Sequence, residues 1–318
     1  CMWYSAAACS LAQWCSPLYE SSPNEAALLK QGGPGVLWRA ALYMVVASAL
    51  FATMNALAKY LLLANTGQPI GALQMTFGRY FFGTLFLLPV LFGAKVVPRT
   101  KHPFKYMFRA SFGVAGVALM FLAIAVIPLA NATAIGFSSP IFAMIFAVLL
   151  LGERSGPYRW LAAAVGFMGV IVIAGPDASI FGAASLFAVA AAVCMGGEIA
   201  AVKWLSGLGD RALIMLFFGN LFGAILGGLA AIPAWVSPQP MEWLIFAAMG
   251  LVAIAGQRLV LHAMAMADAN FVAPFLYSTL LFSGLFGVLL FDEVLRPSLF
   301  LGMALIVGSG LLLARFGR

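Results

Sequence analysis

Asn55, Arg79, Glu198, Gln257, Arg258, His262 and Tyr277 are the side chains of this sequence whose types and positions could do chemistry. Each falls within a long apolar stretch, where a polar group is costly and usually faces a bundle interior or a water-filled cavity. The chemistry such groups offer is replacement solvation: they stand in for the water that a polar solute leaves behind. Asn55 and Lys59 are four apart and share a helical face, and so do Arg258 and His262. Arg79 lies about nine residues into its stretch, near the middle at a rise of ~1.5 Å per residue. An unpaired Glu198 would be protonated or would seek a cation, and Arg258 is its expected partner. A cavity-lining pair and a static bridge are both open for these two. His262 could titrate near neutral pH, although a lone buried histidine is more often simply hydrogen-bonded. Lys59 and Lys203 are expected to stretch toward the outer and inner interfaces. Ser138, Ser139 and Ser278 are expected to bond between helices, with Tyr277-Ser278 mirroring Phe137-Ser138.

Other chemistries fare worse. Gly136-Phe-Ser138-Ser with His262 resembles the Gly-x-Ser and distant histidine of rhomboid-type proteases, in which the histidine would deprotonate the serine. Ser138 is matched by Ser278 at a fixed offset, however, which suggests a structural position. No Gly-x-x-x-x-Gly-Lys phosphate loop occurs, so the chain carries no ATPase of its own. His102 and His262 are the only histidines and His-Glu-x-x-His is absent, so no histidine-based metal site is expected. Cys1, Cys9, Cys15 and Cys194 show no Cys-x-x-Cys spacing, which supports neither a disulfide framework nor a zinc site. The chain is therefore expected not to be an enzyme and to hold no cofactor.

The elements that must carry these residues follow from composition. Charged residues make up 8% and hydrophobic residues 64% of the 318, with a mean hydropathy of +1.05. A soluble domain carries roughly 25% charge, and one water-solvated core could not bury this much apolar surface. A bilayer core about 30 Å thick needs roughly 20 apolar residues per helix. Ten stretches qualify: Leu37–Leu63, Ile70–Gly93, Tyr106–Val126, Pro128–Leu151, Tyr158–Ala174, Ala183–Leu205, Ala212–Ala234, Trp243–Ala267, Phe271–Phe291 and Pro297–Ala314.

The net charge of +7 does not indicate nucleic acid, because its distribution is topological. Lys95, Arg99, Lys101, Lys105 and Arg109 follow the second stretch, Arg154 and Arg159 the fourth, Lys203 and Arg211 the sixth, and Arg315 and Arg318 the tenth. The alternate loops carry Asp177, Glu242, Asp292 and Glu293. Positive loops stay cytoplasmic, which places the chain in the cell (inner) membrane with both termini on the cytoplasmic side. Cys1 to Gly35 mixes Ser-Pro pairs with a Gln-Gly-Gly-Pro-Gly linker and lacks a secretory signal pattern. It is expected to be a poorly ordered cytoplasmic tail.

The second half repeats the first. At a shift of about 140 residues, Ser138, Phe142, Phe146, Val148, Leu149, Leu150, Glu153, Pro157, Leu161 and Ala164 meet their own types, as do Leu73, Met75, Phe77, Phe82 and Gly83. A shift of about 144 matches Ala56, Lys59 and Leu61 with Ala200, Lys203 and Leu205. The shared Glu, Pro and Lys are harder to dismiss than shared Leu and Ala. Five stretches per repeat is an odd number, so the second must enter from the opposite side. The expected fold class is an all-α polytopic membrane protein with ten transmembrane helices in an inverted five-plus-five repeat, the build plan of many secondary transporters. Gly166 and Gly302 offer close-packing faces, Gly196-Gly197 precedes Glu198, and Pro140 and Pro274 interrupt corresponding helices. The acidic turns at Gly152-Glu153-Arg154 and Asp292-Glu293 are expected to fix the ends of the fourth and ninth helices.

Asn55-Ala-Leu-Ala-Lys59-Tyr-Leu, Phe77-Gly-Arg79-Tyr-Phe-Phe and Ser138-Ser-Pro140 leading to Leu151-Gly-Glu153-Arg154 resemble the EamA half-repeat of the drug/metabolite transporter superfamily. Lys203, then Val272-Ala-Pro274 leading to Phe291-Asp-Glu293, repeats it more loosely. Gly219 stands where the counterpart of Arg79 would be. The resemblance covers about Leu37 to Ala314, which implies a first repeat over 36–175 and a second over 176–318. The first half is particularly similar to a bacterial branch that includes S-adenosylmethionine uptake carriers. The resemblance implies a secondary carrier for a small polar or amphipathic metabolite, amino-acid-like or nucleoside-like. A passive channel is the other transport alternative. The partners expected are that metabolite, the lipid bilayer and at most a second copy of the chain; nucleic acid is not.

Overall fold

Inside lipid a backbone must satisfy its own hydrogen bonds, so apolar stretches of this length close into helices. A computed structural model describes residues 34–63, 70–151, 157–174, 183–206, 212–267 and 269–316, and among them every regular element is helical. The order is α1 (Pro34–Leu63), α2 (Ala72–Gly93), α3 (Pro103–Val126), α4 (Leu129–Gly136), α5 (Ser139–Leu151), α6 (Pro157–Ala174), α7 (Ala183–Ser206) and α8 (Ala212–Ala231). Then come α9 (Pro240–Met266), α10 (Ala269–Val272), α11 (Ser278–Phe291) and α12 (Pro297–Phe316). Among the described residues, 8 helical segments are long and apolar enough to cross a membrane, and Trp160–Ile173 and Pro297–Ser309 are shorter apolar helices. Residues 1–33 of the tail expected over 1–35, the Gly152–Arg154 turn and the Lys203 side chain lie outside the described residues.

Helix starts are written in the sequence. Helices α1, α3, α6, α9 and α12 each open on a proline, whose missing N–H costs nothing at a first helical position. Residues 34 and 35, expected in the tail, therefore belong to α1. Helix α9 adds a capping box in which the Gln239 amide donates to Glu242 Oε2 at 2.7 Å. Glu242, read in the sequence as a loop charge, is buried there.

Two spans are broken near their middles. Between α4 and α5 the chain turns at Phe137–Ser138; Pro140 has no N–H to return to Gly136, so the ladder fails there. Before α11 the chain passes through a tighter 3-10 turn, Ala273–Tyr277. The hydroxyls of Ser138 and Ser278 donate to Ile135 and Phe275 carbonyls at 2.7 and 2.6 Å, three residues back in each case. These serines thus stabilise their own breaks instead of bonding between helices. The breaks also touch: the Phe137 and Tyr277 rings lie 5.2 Å apart.

Small residues let the helices cross closely. Where α2 meets α8, a Cβ on Gly223 would fall 2.6 Å from the Tyr80 ring, and one on Gly83 would fall 2.8 Å from Asn220 Oδ1. Helix α3 packs on α7 as α9 packs on α1, while α5 packs on α7 as α11 packs on α1. Helices α6 and α12 meet where the backbones of Gly169 and Gly302 approach. Tyr106, Phe121 and Phe246 are fully buried, whereas Leu281, Leu289 and Val294 point outward. Outward leucine and valine suit a lipid solvent.

Candidate functional site

Two ion pairs, at opposite ends of α3, organise the polar residues. Arg109 is in the second turn of α3, and Ile127 is the residue just past its end. Eighteen residues at ~1.5 Å each separate the two levels by about 27 Å, close to a bilayer core.

At the far end, Lys59 of α1 pairs with Glu293, the second residue past α11; each side chain is 8% exposed. Lys59 Nζ also donates to the Ile127 carbonyl at 3.1 Å. The amide of Leu129, first residue of α4, donates to both carboxylate oxygens of Glu293 at 3.0 and 2.9 Å. Lys59 therefore does not stretch toward the interface. Glu293 likewise does not cap its own helix. A carboxylate is unfavourable at a helix C-terminus and favourable at an N-terminus, so it serves α4 instead. The local backbone delivers it. Asp292 takes the left-handed conformation at φ 51°, and the Glu293 amide closes back on the Gly287 carbonyl at 3.0 Å. A side chain at Gly287 would collide with the Glu293 carboxylate.

At the near end, Glu198 of α7 accepts from Arg109 Nη2 at 3.0 Å. Arg109 Nη1 donates to the Met215 carbonyl of α8, also at 3.0 Å. The partner of Glu198 is thus Arg109 and not Arg258, because α3, not α9, packs along α7. Tyr80 joins them: a Cβ on Gly113 would lie 2.9 Å from its hydroxyl and 3.1 Å from Glu198 Oε2. The Arg79 guanidinium sits 4.5 Å over the Tyr80 ring, a cation–π contact. Arg79 is 7% exposed, and its Nε and Nη1 have no hydrogen-bond partner. Gly219 explains how two arginines fit. A Cβ there would come within 2.5 Å of Arg109 Nη1, so Arg109 fills the space left where Arg79 has no repeat counterpart.

The other sequence candidates lie toward α1, α9 and α11. Asn55 is buried in α1, and Gln257 of α9 has its Oε1 buried without a partner. The Arg258 carbonyl lies 3.1 Å from His262 Nδ1, and Tyr43 meets the histidine ring edge-on at 6.4 Å. The structure therefore joins Arg79 to Glu198 through Tyr80 and places Arg258, His262 and Tyr277 elsewhere. Ser138 and His262 each face a backbone carbonyl, and no Ser–His hydrogen bond exists among the described residues.

A family model described as the EamA-like transporter family matches residues 38–175 and again residues 182–315. The chain belongs to this family. This EamA-like protein is 32% identical over 277 residues to the riboflavin transporter of Rhizobium johnstonii, covering 86% of this chain and 90% of that one. It is 28% identical to the S-adenosylmethionine uptake transporter of Rickettsia bellii, over 81% and 87% of the two chains. The pseudopaline exporter CntI of Pseudomonas aeruginosa is 29% identical, over 86% and 95%. A solved crystal structure aligns with a TM-score of 0.59 at 24% identity, over 87% of this chain and 96% of that one, and speaks to the fold alone. The EamA-like chain is accordingly a multi-pass membrane transporter of the drug/metabolite transporter superfamily, not an enzyme, and the serine-protease alternative falls.

Proposed function

We propose that this EamA-like protein is a secondary carrier that moves a small polar or amphipathic metabolite across the cytoplasmic membrane by alternating access. Its ten spans form an inverted five-plus-five repeat, 36–175 and 176–318, with both termini cytoplasmic. Contacts that recur at one offset support the inversion. Tyr80 over Gly223 is answered by Asn220 over Gly83, and Phe246 against Gly78 by Tyr106 against Phe218. Ser138 and Ser278 bond alike, and their neighbours Phe137 and Tyr277 touch.

One observation carries the site: Arg79, Tyr80, Arg109 and Glu198 gather within the bundle where α2 and α3 meet α7 and α8. Charged groups are kept there only when they serve a function or a fold-specific bridge. Asn55, Gln257, Arg258, His262 and Tyr277 complete the proposed substrate path on the α1–α9 side. Riboflavin and S-adenosylmethionine, named for two relatives, are the first solutes to test. Purified protein in liposomes should show saturable counterflow of one of them, and Arg79→Gln and Glu198→Gln should each weaken its apparent affinity. Flux that never saturates would make the protein a channel, and unchanged affinity in both variants would remove the cluster from the substrate path.

A further inference from the structure

We propose that Arg79 receives a carboxylate or similar oxyanion of the transported solute, so that the substrates are acidic or zwitterionic metabolites. This rests on reading the Arg79–Tyr80–Arg109–Glu198 cluster as the substrate site. Two independent observations point to an anion.

The first is the balance of charge and donors. Arg79 and Arg109 are cations and Glu198 is the one carboxylate among the described cluster residues, leaving one positive charge uncompensated. Glu198 is engaged by Arg109, whose other Nη serves the Met215 carbonyl. Arg79 is left with two donors, Nε and Nη1, sealed from water and without a partner. A buried charged donor with no acceptor is among the costliest features a fold can keep. Tyr80 supports the guanidinium through its ring face and a side-chain hydrogen bond, yet Nε and Nη1 still have no acceptor. One planar anion fits the vacancy in charge and shape, because the guanidinium fork matches a carboxylate.

The second is a basic cavity next to the start of α3, the helix that carries Arg109. A cavity of about 760 Å³ opens beside the α2–α3 connection, lined by Arg99, Lys101, His102 and Phe218. Phe218 directly precedes Gly219, the glycine on which Arg109 lies. A cavity with basic walls raises the local concentration of anions. Cavity and cluster therefore favour the same sign of charge.

The test uses two pairs of solutes that differ by one anionic group: S-adenosylmethionine against its decarboxylated form, and riboflavin 5′-phosphate against riboflavin. Counterflow into liposomes is measured for wild type, Arg79→Gln, Arg79→Lys and Glu198→Gln, each checked for a monodisperse folded state. Wild type should prefer the member bearing the anionic group in at least one pair by about tenfold to a hundredfold, as one charge-assisted contact gives. Arg79→Gln should erase that preference, and Arg79→Lys should restore part of it. If wild type carries the member without the anionic group equally well in each pair, the anion assignment is wrong, while a flux still sensitive to Glu198→Gln keeps the cluster as the site. If Arg79→Gln lowers stability but leaves the ratio intact, Arg79 is only a helix tie. If none of the four solutes shows saturable counterflow, both this inference and the carrier reading beneath it fail.

Discussion

Breaking the Lys59–Glu293 tie offers a quantitative test of how α1, α4 and α11 are held. Glu293→Gln removes the carboxylate paired with Lys59 and leaves its ammonium, among the described residues, with the Ile127 carbonyl and the face of the Phe291 ring. It also weakens the acceptor that both Leu129 amide bonds use. Two unit charges in contact attract by about 4 kcal/mol at an effective dielectric of about 20. Removing one partner of a buried pair costs about 3–5 kcal/mol, because the survivor stays desolvated. With both side chains 8% exposed, little of that is screened by water. Glu293→Gln and Lys59→Met should therefore each destabilise the protein by about 3 kcal/mol. The double variant should lose far less than the sum, giving a coupling of about 2 kcal/mol. Reversible unfolding in mixed detergent micelles, run on all four proteins, measures the cycle. If the two losses simply add, Lys59 and Glu293 do not depend on one another, and the three-helix tie is refuted.

Gly287→Ala should reproduce much of that loss, about 1–3 kcal/mol, by pushing against the Glu293 carboxylate, although alanine favours the helix itself; a rise in melting temperature would contradict it. Gly219→Ala should displace Arg109 from Glu198 and lower transport by about tenfold, the value of one charge-assisted bond, while thermal stability changes little. Unaltered counterflow would remove that pair from the transport path. Ser138→Ala should leave counterflow intact and cost at most about 1 kcal/mol, since its hydroxyl only serves the Ile135 carbonyl. Abolished transport would show that this serine does more than close a turn.

The helices were legible because hydropathy and punctuation agree: Val126, Ala174 and Phe291 end their helices at the residues where the apolar stretches stop. The two mid-span breaks were visible only through Pro140 and Pro274, which do not stand at matching positions. Arg79 and Glu198 stood out as charges in apolar surroundings, but their link was not legible. Arg109 reads as the last of a run of loop cations, although it lies three residues past Tyr106 and one turn before Gly113. The missing counterpart of Arg79 at Gly219 was the clue: a hole in a repeat invites a side chain from elsewhere. Lys59 and Glu293 illustrate a different limit. A repeat relates Lys59 to Lys203 and Glu293 to Glu153, yet says nothing about which cation meets which acid. That choice is made by packing of segments 234 residues apart.

The knot at Lys59, Ile127, Leu129 and Glu293 takes three of its members from one matched segment and the fourth from the other. Severed between residues 175 and 182, the two fragments would each carry an unanswered charge into the lipid, one basic and one acidic. Each would be the other's cheapest remedy. The same contact that holds the intact chain would then act as a mating key, so that coexpressed fragments reunite with each other in preference to pairing with their own kind.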